Sequence, residues 1–210
     1  MSEIRIENFL YPYVRFVNAC PCTAGADFYW GNSLVSPNLG FGCFSSYVQV
    51  KRGMQEFTVT EAGNKNKVLA RISLPFGQGE VYTVALAHSD GGAMAYGIAE
   101  PVTRKDTDYG HIRICHLSPN IASLDVSANG HDILNGIDYL EVSRYICMSP
   151  GCYEFRAKQA ADSVGKLIMP NQNIKAGKYN TLYIMGLSDK QPSLMGILTV
   201  DAASYTGYYL

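Results

Sequence analysis

The sequence YVRFVNACP at residues 13–21 recurs in altered form as HIRICHLSP at residues 111–119. Each position of the second stretch lies 98 residues after its counterpart, so that Arg15 corresponds to Arg113 and Pro21 to Pro119. The same offset needs no gap from position 14 to about 85, and it matches further pairs: Asp27 with Asp125, Tyr47 with Tyr145, Gly53 with Gly151, and Glu56-Phe57 with Glu154-Phe155. A period of this length predicts two tandem copies of one domain.

Short β-rich runs fill both copies, with turn signals about every 8–12 residues, which is typical of a sandwich or barrel. No segment keeps helical periodicity over three turns. The sequence therefore predicts an all-β fold of two tandem immunoglobulin- or transthyretin-like β-sandwich domains. The expected boundaries are an N-terminal extension at 1–12, a first sandwich repeat at 13–100, a linker at 101–109 and a second repeat at 110–210.

Turn residues occupy equivalent places in the two copies. Gly31-Asn32 and Asn129-Gly130 both tolerate positive φ and are expected to close tight hairpins. Residues 51–53 and 149–151 each end in glycine. We expect them to close a second hairpin in each copy.

Composition excludes several classes of function. The 210 residues carry a net charge of −1, which provides no electrostatic footprint for nucleic acid. No apolar run has the length of a membrane span, so membrane insertion is not expected. Only 17% of residues are charged while 15 are tyrosine, a balance that suits contact with other protein surfaces. The N-terminus has no basic start and apolar core, which predicts synthesis in the cytosol without a signal peptide.

The repeated pattern resembles the bacterial DUF4397 family. The residues that carry the resemblance are Val14-Arg15-Phe16, Pro21, Asp27, Gly31-Asn32, Tyr47 and Gly53, with their counterparts Ile112-Arg113-Ile114, Pro119, Asp125, Asn129-Gly130, Tyr145 and Gly151. The resemblance implies a β-sandwich, often in tandem, on bacterial surfaces and without assigned catalytic residues.

Two charged pairs occur in both copies: Arg15 with Asp27, and Arg113 with Asp125. A ligand site in each copy is one interpretation. We favour structural ion pairs between neighbouring strands, in which the planar donor fork of arginine binds a carboxylate. Neither pair is joined by a histidine or a second carboxylate at equivalent positions.

Signatures of catalysis are absent from the sequence. There is no phosphate-binding loop and no Gly-x-Ser-x-Gly elbow, and the four histidines share no spacing with Asp or Ser that indicates a triad. We therefore expect a protein that is not an enzyme and that uses no cofactor.

Six cysteines are distributed unevenly, and none corresponds to another under the offset. Each copy holds an odd number, so complete pairing within both copies is impossible. The proline of Cys20-Pro21-Cys22 is expected to disfavour a bond between its neighbours. A metal site there would need Cys43 or His116 and matches no zinc spacing. One interpretation is that the loop thiols stay free. The more specific interpretation is that disulfides form between chains, with four candidates: Cys20, Cys22, Cys43 and Cys115.

Cys147 and Cys152 flank the glycine turn of the second copy. If that turn closes a four-residue hairpin loop, the two side chains face each other across the strands, within disulfide range. We therefore predict a local disulfide between them.

These observations favour a structural role. We expect a surface protein that assembles with itself into disulfide-reinforced fibres or layers, of the spore-surface or spore-appendage type. Residues 4–9 alternate like a strand outside the repeat, so Ile4, Ile6 and Phe9 are candidates for donation to the sheet edge of a neighbouring molecule. The alternative is a ligand-binding or adhesive β-sandwich module on the cell surface, reading glycan or protein at the loops after Pro21 and Pro119.

Overall fold

The computed structural model describes residues 11–101, 106–160 and 167–205. The chain divides into two compact units, Met1–Thr103 and Arg104–Leu210, here called unit one and unit two. The candidates for strand donation, Ile4, Ile6 and Phe9, lie outside the described residues. Within those residues, no helix has the length and apolarity needed to cross a bilayer.

The described part of each unit contains eight strands. Those of unit one are β1 (Tyr13–Asn18), β2 (Gly25–Trp30), β3 (Ser33–Gly40), β4 (Val48–Gln49), β5 (Gly53–Glu61), β6 (Asn64–Phe76), β7 (Val81–Ser89) and β8 (Gly92–Ala99). Those of unit two are β9 (Gly110–Leu117), β10 (Ser123–Ala128), β11 (His131–Asp138), β12 (Ile146–Met148), β13 (Gly151–Gln159), β14 (Leu167–Ile174), β15 (Tyr179–Met185) and β16 (Met195–Val200), followed by a 3₁₀ helix, Ala202–Tyr205.

The two units share one topology. Unit one forms sheets with the strand orders β4-β1-β7-β8 and β3-β2-β5-β6, and unit two forms β12-β9-β15-β16 and β11-β10-β13-β14. Neighbouring strands are antiparallel, except that β1 is parallel to β7 and β9 is parallel to β15. The register agrees as well, because Arg15 lies opposite Thr83 and Arg113 opposite Thr181. The predicted all-β fold of two tandem sandwiches is confirmed.

A core of apolar side chains fills the space between the sheets of each unit. In unit one, Phe16 of β1 packs against Phe28 of β2 with ring centroids 4.9 Å apart, and against Phe57 of β5 at 5.7 Å. All three rings are fully buried, and each such side chain contributes about 1.5–3 kcal/mol. Since side chains alternate along a strand, this arrangement places Arg15 on the opposite face of its sheet.

The first predicted hairpin is confirmed and the second is wrong. Trp30 pairs with Ser33 and Ala128 with His131, so the Gly31 and Asn129-Gly130 turns do join adjacent strands. By contrast, β4 pairs with β1 while β5 belongs to the other sheet. Residues 50–52 therefore connect two sheets, because the chain turns away from β1 instead of folding back on itself. The equivalent connection of unit two behaves in the same way.

Candidate functional site

Arg15 belongs to a buried polar network on the outer face of its sheet. Its Nε lies 3.1 Å from Oε1 of Glu100, and the two side chains are 5% and 0% exposed. The same Nε donates a hydrogen bond of 2.8 Å to Oγ1 of Thr83. The Tyr47 hydroxyl donates a hydrogen bond of 2.6 Å to Oε2 of Glu100, and the guanidinium carbon lies 4.9 Å from the centre of the Tyr47 ring.

Unit two repeats this network. Nε of Arg113 lies 3.3 Å from Oδ2 of Asp201 and donates to Oγ1 of Thr181 at 2.8 Å. The Tyr145 hydroxyl donates to Oδ2 of Asp201 at 2.6 Å. These partners all belong to unit two, and the carboxylate is held by both an arginine and a phenol. The arrangement is a permanent structural ion pair.

The predicted pairing of Arg15 with Asp27, and of Arg113 with Asp125, is wrong. The arginines face away from the space between the sheets, while the aspartates lie in the other sheet of each unit. Asp27 instead accepts hydrogen bonds from the backbone N–H groups of Asn38, at 2.6 Å, and Gly63, at 2.9 Å. Asp125 accepts from the N–H of Gly136, the counterpart of Asn38, at 2.9 Å.

Asn38 and Gly136 explain why an aspartate is needed at these places. Both have positive φ, 45° and 69°, and both lie at an irregularity in the pairing of the edge strand. A bulge leaves a backbone N–H without its ladder partner. The carboxylates of Asp27 and Asp125 supply that partner, so these residues serve the shape of the edge strands.

The Cys20-Pro21-Cys22 prediction is also wrong. The structure has a disulfide between Cys20 and Cys22, with Cα atoms 5.2 Å apart. This separation lies within the usual range for disulfides, so the intervening proline does not splay the sulfurs. Cys20 is fully buried and lies two residues beyond the end of β1. The pair is therefore an intra-chain bond and not an inter-chain one.

The other four cysteines are thiols. Cys115 is fully buried, and burial raises the pKa of its thiol to about 12, so the predicted inter-chain role of Cys115 is wrong. Cys147 lies opposite His111 in one sheet, whereas Cys152 lies opposite Asn173 in the other. The predicted local disulfide between Cys147 and Cys152 is absent, because the two strands do not form a hairpin. Cys43, Cys147 and Cys152 are exposed.

A groove of about 240 Å³ opens at the end of unit one where β7 begins and β8 ends. Its lining includes Glu80, the half-buried Tyr82 and Pro101. Burial, and next the charge of Glu80, raise the pKa of the Tyr82 phenol. The Glu80 carboxylate is exposed and accepts a hydrogen bond from the N–H of Gly77 at 2.7 Å. The groove thus presents an aromatic ring beside a negative charge.

In unit two the chain itself covers the corresponding place. Ser204 of the 3₁₀ helix accepts a hydrogen bond from the Tyr179 N–H at 2.7 Å and donates one to the Tyr179 carbonyl at 2.9 Å. The ammonium of Lys178, the counterpart of Glu80, lies 5.1 Å from the Tyr205 ring centre and donates to the Ser204 carbonyl at 3.4 Å. Among the residues that the structure describes, the two units differ in how this end is filled.

Within the part of the chain that the structure describes, two clusters bring together side chains of the kinds that bind metals. Cys20, Cys22 and His88 form one, in which both sulfurs are committed to the disulfide. Asp106, His111 and Cys147 form the other, with their donor atoms within 4.8 Å of one another. Sequence reasoning missed the second cluster because its members are spread over a linker and two strands. No sequence spacing links them, because His111 and Cys147 become neighbours only through the register of β9 and β12.

The fold and the repeated networks define a tandem β-sandwich protein. Residues 12–127 and 110–206 match a family described as a domain of unknown function, DUF4397. The chain belongs to the DUF4397 family, as its repeated motif predicts. No curated protein matches the sequence significantly.

Two solved structures are similar to this chain at a low level. One is the carbohydrate-binding module CBMbc of family CBM26 from Eubacterium rectale Amy13K, in complex with maltoheptaose. It has 10% identity and a TM-score of 0.28, and the match covers 91% of this chain and 98% of the module. The other, a cell adhesion candidate from Bacteroides fragilis NCTC 9343, has 9% identity and a TM-score of 0.21, with coverage of 80% and 68%. At such TM-scores, neither structure indicates what this chain binds.

Proposed function

We propose that this chain is a non-catalytic, adhesive binding module of a bacterial surface, and that the groove of unit one holds a short polypeptide turn of a partner protein. The observation that carries the proposal is the contrast between the two units. Unit two fills the end of its β15 with its own 3₁₀ helix, while the described residues of unit one leave a groove at the equivalent end of β7. The residues that fill this place in unit two support a polypeptide as the ligand of unit one.

In unit two the occupant is polypeptide. The Ser204 hydroxyl both accepts from and donates to the backbone of Tyr179, and the Tyr205 ring covers a charged side chain. Val81 is the counterpart of Tyr179 in unit one, and its carbonyl accepts the Glu100 N–H just as the Tyr179 carbonyl accepts the Asp201 N–H. The backbone that would bind a hydroxyl-bearing turn is therefore arranged in the same way at Val81 and at Tyr179.

The charge of the groove selects among such turns. Glu80 replaces Lys178, which reverses the sign of the charge beside the groove. Tyr82 replaces Asn180 and adds an aromatic ring at the lining. We expect the ligand to carry a basic side chain that pairs with Glu80 and packs on Tyr82, since rings and carboxylates both attract cations.

The experiment is an amide chemical-shift titration of the ¹⁵N-labelled full chain with two synthetic peptides. One has the sequence of residues 202–205, Ala-Ala-Ser-Tyr, and the other is Ala-Ala-Ser-Lys. We expect shifts at the amides of Gly79, Val81 and Tyr82, with tighter binding of the lysine peptide. Glu80→Lys and Tyr82→Asn, which install the residues of unit two, should remove the response.

The matched control is Lys178→Glu in unit two, which should leave the titration unchanged. Groove amides that do not respond at millimolar peptide, or a response that Glu80→Lys leaves intact, would contradict the proposal. Screening the same labelled protein on a neutral glycan array tests the competing hypothesis that the groove binds a sugar. Glycan binding that depends on Tyr82 would replace the protein ligand with a sugar.

Covalent self-assembly is a second candidate, favoured by the three exposed thiols of Cys43, Cys147 and Cys152. Three is an odd number, so pairing among these thiols within one chain leaves at least one of them for another chain. Electron microscopy and non-reducing electrophoresis after mild oxidation would show polymers that reductant dissolves. Substituting all three by serine should abolish them, and a strictly monomeric oxidised protein would argue against assembly.

A further inference from the structure

We propose that Asp106, His111 and Cys147 of unit two form a binding site for a zinc-type divalent cation. Each residue offers one donor atom: a carboxylate oxygen, a ring nitrogen and a sulfur, all within 4.8 Å of one another. Oxygen, imidazole and thiolate are the ligand types that zinc accepts together.

Two of the ligands are placed by the sheet. His111 of β9 and Cys147 of β12 lie directly opposite each other in an antiparallel pair. Side chains of such a pair project from the same face with their Cβ atoms roughly 4.5–5.5 Å apart. The register that builds the fold therefore also brings the imidazole to the thiol.

The third ligand is oriented by its own loop. Oδ1 of Asp106 accepts hydrogen bonds from the N–H groups of Asp108, at 3.0 Å, and Tyr109, at 3.3 Å. These bonds hold Oδ1 in the loop and leave Oδ2 directed toward His111.

The distance between these two ligands suits a shared ion. Oδ2 of Asp106 lies 3.6 Å from Nε2 of His111, which is too long for a good hydrogen bond. Two ligands at about 2.0–2.2 Å from a tetrahedral zinc ion are roughly 3.4 Å apart. The imidazole is also held in place, because it stacks on the Tyr179 ring with centroids 4.4 Å apart and an angle of 11°.

The donor set also sets the chemical class of the ion. Calcium and magnesium prefer oxygen ligands throughout, so a thiolate and an imidazole select a softer ion such as Zn²⁺. Three protein ligands leave a fourth position for water or an outside ligand, on the exposed side where Cys147 lies. Unit one has Tyr13 and Gln49 at the two strand positions, which makes the site specific to unit two.

Unit one also supplies the substitutions for the test. His111→Tyr and Cys147→Gln install a cross-strand pair that the repeated fold already accommodates. Asp106→Asn removes the third ligand's charge. The controls are Cys152→Ser, an exposed thiol outside the cluster, and His88→Ala, which disables the other cluster.

The experiment is zinc titration calorimetry on untagged full-length protein, with the bound metal counted by mass spectrometry after gel filtration. We expect one zinc per chain and at least tenfold weaker binding in each ligand variant, with both controls unchanged. Cobalt in place of zinc should give a thiolate-to-metal absorption band that Cys147→Gln abolishes. Circular dichroism checks that each variant is folded.

Three outcomes would overturn the site. The wild-type chain could retain no zinc at micromolar concentrations. Binding could survive both His111→Tyr and Cys147→Gln. Binding could also disappear in His88→Ala, which would assign the metal to His88 with Cys20 and Cys22 in their reduced form.

Discussion

The guanidinium of Arg15 and the carboxylate of Glu100 are buried against each other with their Nε and Oε1 atoms 3.1 Å apart. Unit two makes the same contact between Arg113 and Asp201 at 3.3 Å, although aspartate is one methylene shorter than glutamate. In both units a threonine and a tyrosine also donate hydrogen bonds to this carboxylate. The pair fixes the last strand of each unit to its first.

Glu100→Gln should destabilise unit one by about 3–5 kcal/mol, because it leaves the buried charge of Arg15 without its counterion. Urea unfolding with hydrogen-exchange readout of each unit measures the loss. The control is Glu61→Gln, which breaks the exposed pair with Lys67, whose side chains are 41% and 57% exposed. That change should cost less than about 1 kcal/mol. Equal losses in the two variants would show that burial of the pair is unimportant.

The sequence could predict the repeat but not the partner of Arg15. The offset of 98 residues aligns Arg15 with Arg113 and Thr83 with Thr181, yet it aligns Glu100 with Leu198. The turn between β15 and β16 is longer than the turn between β7 and β8. The carboxylate of unit two therefore does not fall at the 98-residue offset, and it is supplied by Asp201. Asp27 and Asp125 do keep the 98-residue offset, which is why the sequence pattern points to them as the partners of the arginines. The pairing depends on which face of a strand is covered, and that is a tertiary property.

His116→Asn should flatten the acid side of the stability profile of unit two. Nδ1 of His116 accepts the Ser118 N–H at 3.2 Å, and Nε2 donates to the Ile121 carbonyl at 2.9 Å. Burial lowers the pKa of His116 to about 4, from 6.5 in an unfolded chain. Between pH 6.5 and pH 4 this histidine is protonated in the unfolded chain but not in the folded one. The free energy of unfolding therefore falls as the pH drops toward 4. The loss amounts to about 3 kcal/mol at pH 4.

Asparagine is a matched replacement because unit one has Asn18 at this position. Oδ1 of Asn18 accepts the Cys20 N–H at 3.2 Å, and its amide donates to the Leu39 carbonyl at 3.0 Å. Unfolding of the wild type and the variant is compared at pH 7 and pH 4.5, with His131→Asn, an exposed histidine, as the control. An unchanged pH dependence in His116→Asn would assign the acid sensitivity to other groups.

The cysteines should separate into three reactivity classes under alkylation of the native protein without reductant. Cys43, Cys147 and Cys152 are exposed and should react first. Cys115 should react only after unfolding, since it is fully buried and its thiol has a pKa of about 12. Cys20 and Cys22 should be recovered as one disulfide-linked peptide. Mass spectrometry of the digested protein reads all three classes, and rapid labelling of native Cys115 would contradict the burial.

The thiol assignments show where sequence reasoning fails in this fold. Counting cysteines indicated that complete pairing within both copies is impossible. It could not reveal that Cys20 is buried just beyond β1, or that Cys147 and Cys152 lie in different sheets. His111 and Cys147 are 36 positions apart, since 147 − 111 = 36, and only the register of β9 and β12 brings them together. Contacts between distant strands become visible only when the pairing is known.

The parallel pairing of β1 with β7 has a mechanical consequence. Tyr13 lies opposite Val81 and Ala99 lies opposite Tyr82. The first strand therefore begins, and the last strand ends, at the same end of this sheet. A pulling force between these two points would peel β1 and β8 away from β7 one hydrogen bond after another, instead of loading the whole ladder in shear. Unit two has the same geometry at His111 and Val200. We expect each unit to unfold at low force in an optical trap, with a gain in length at that force. Unfolding only at high force would show that the ladders are loaded in shear.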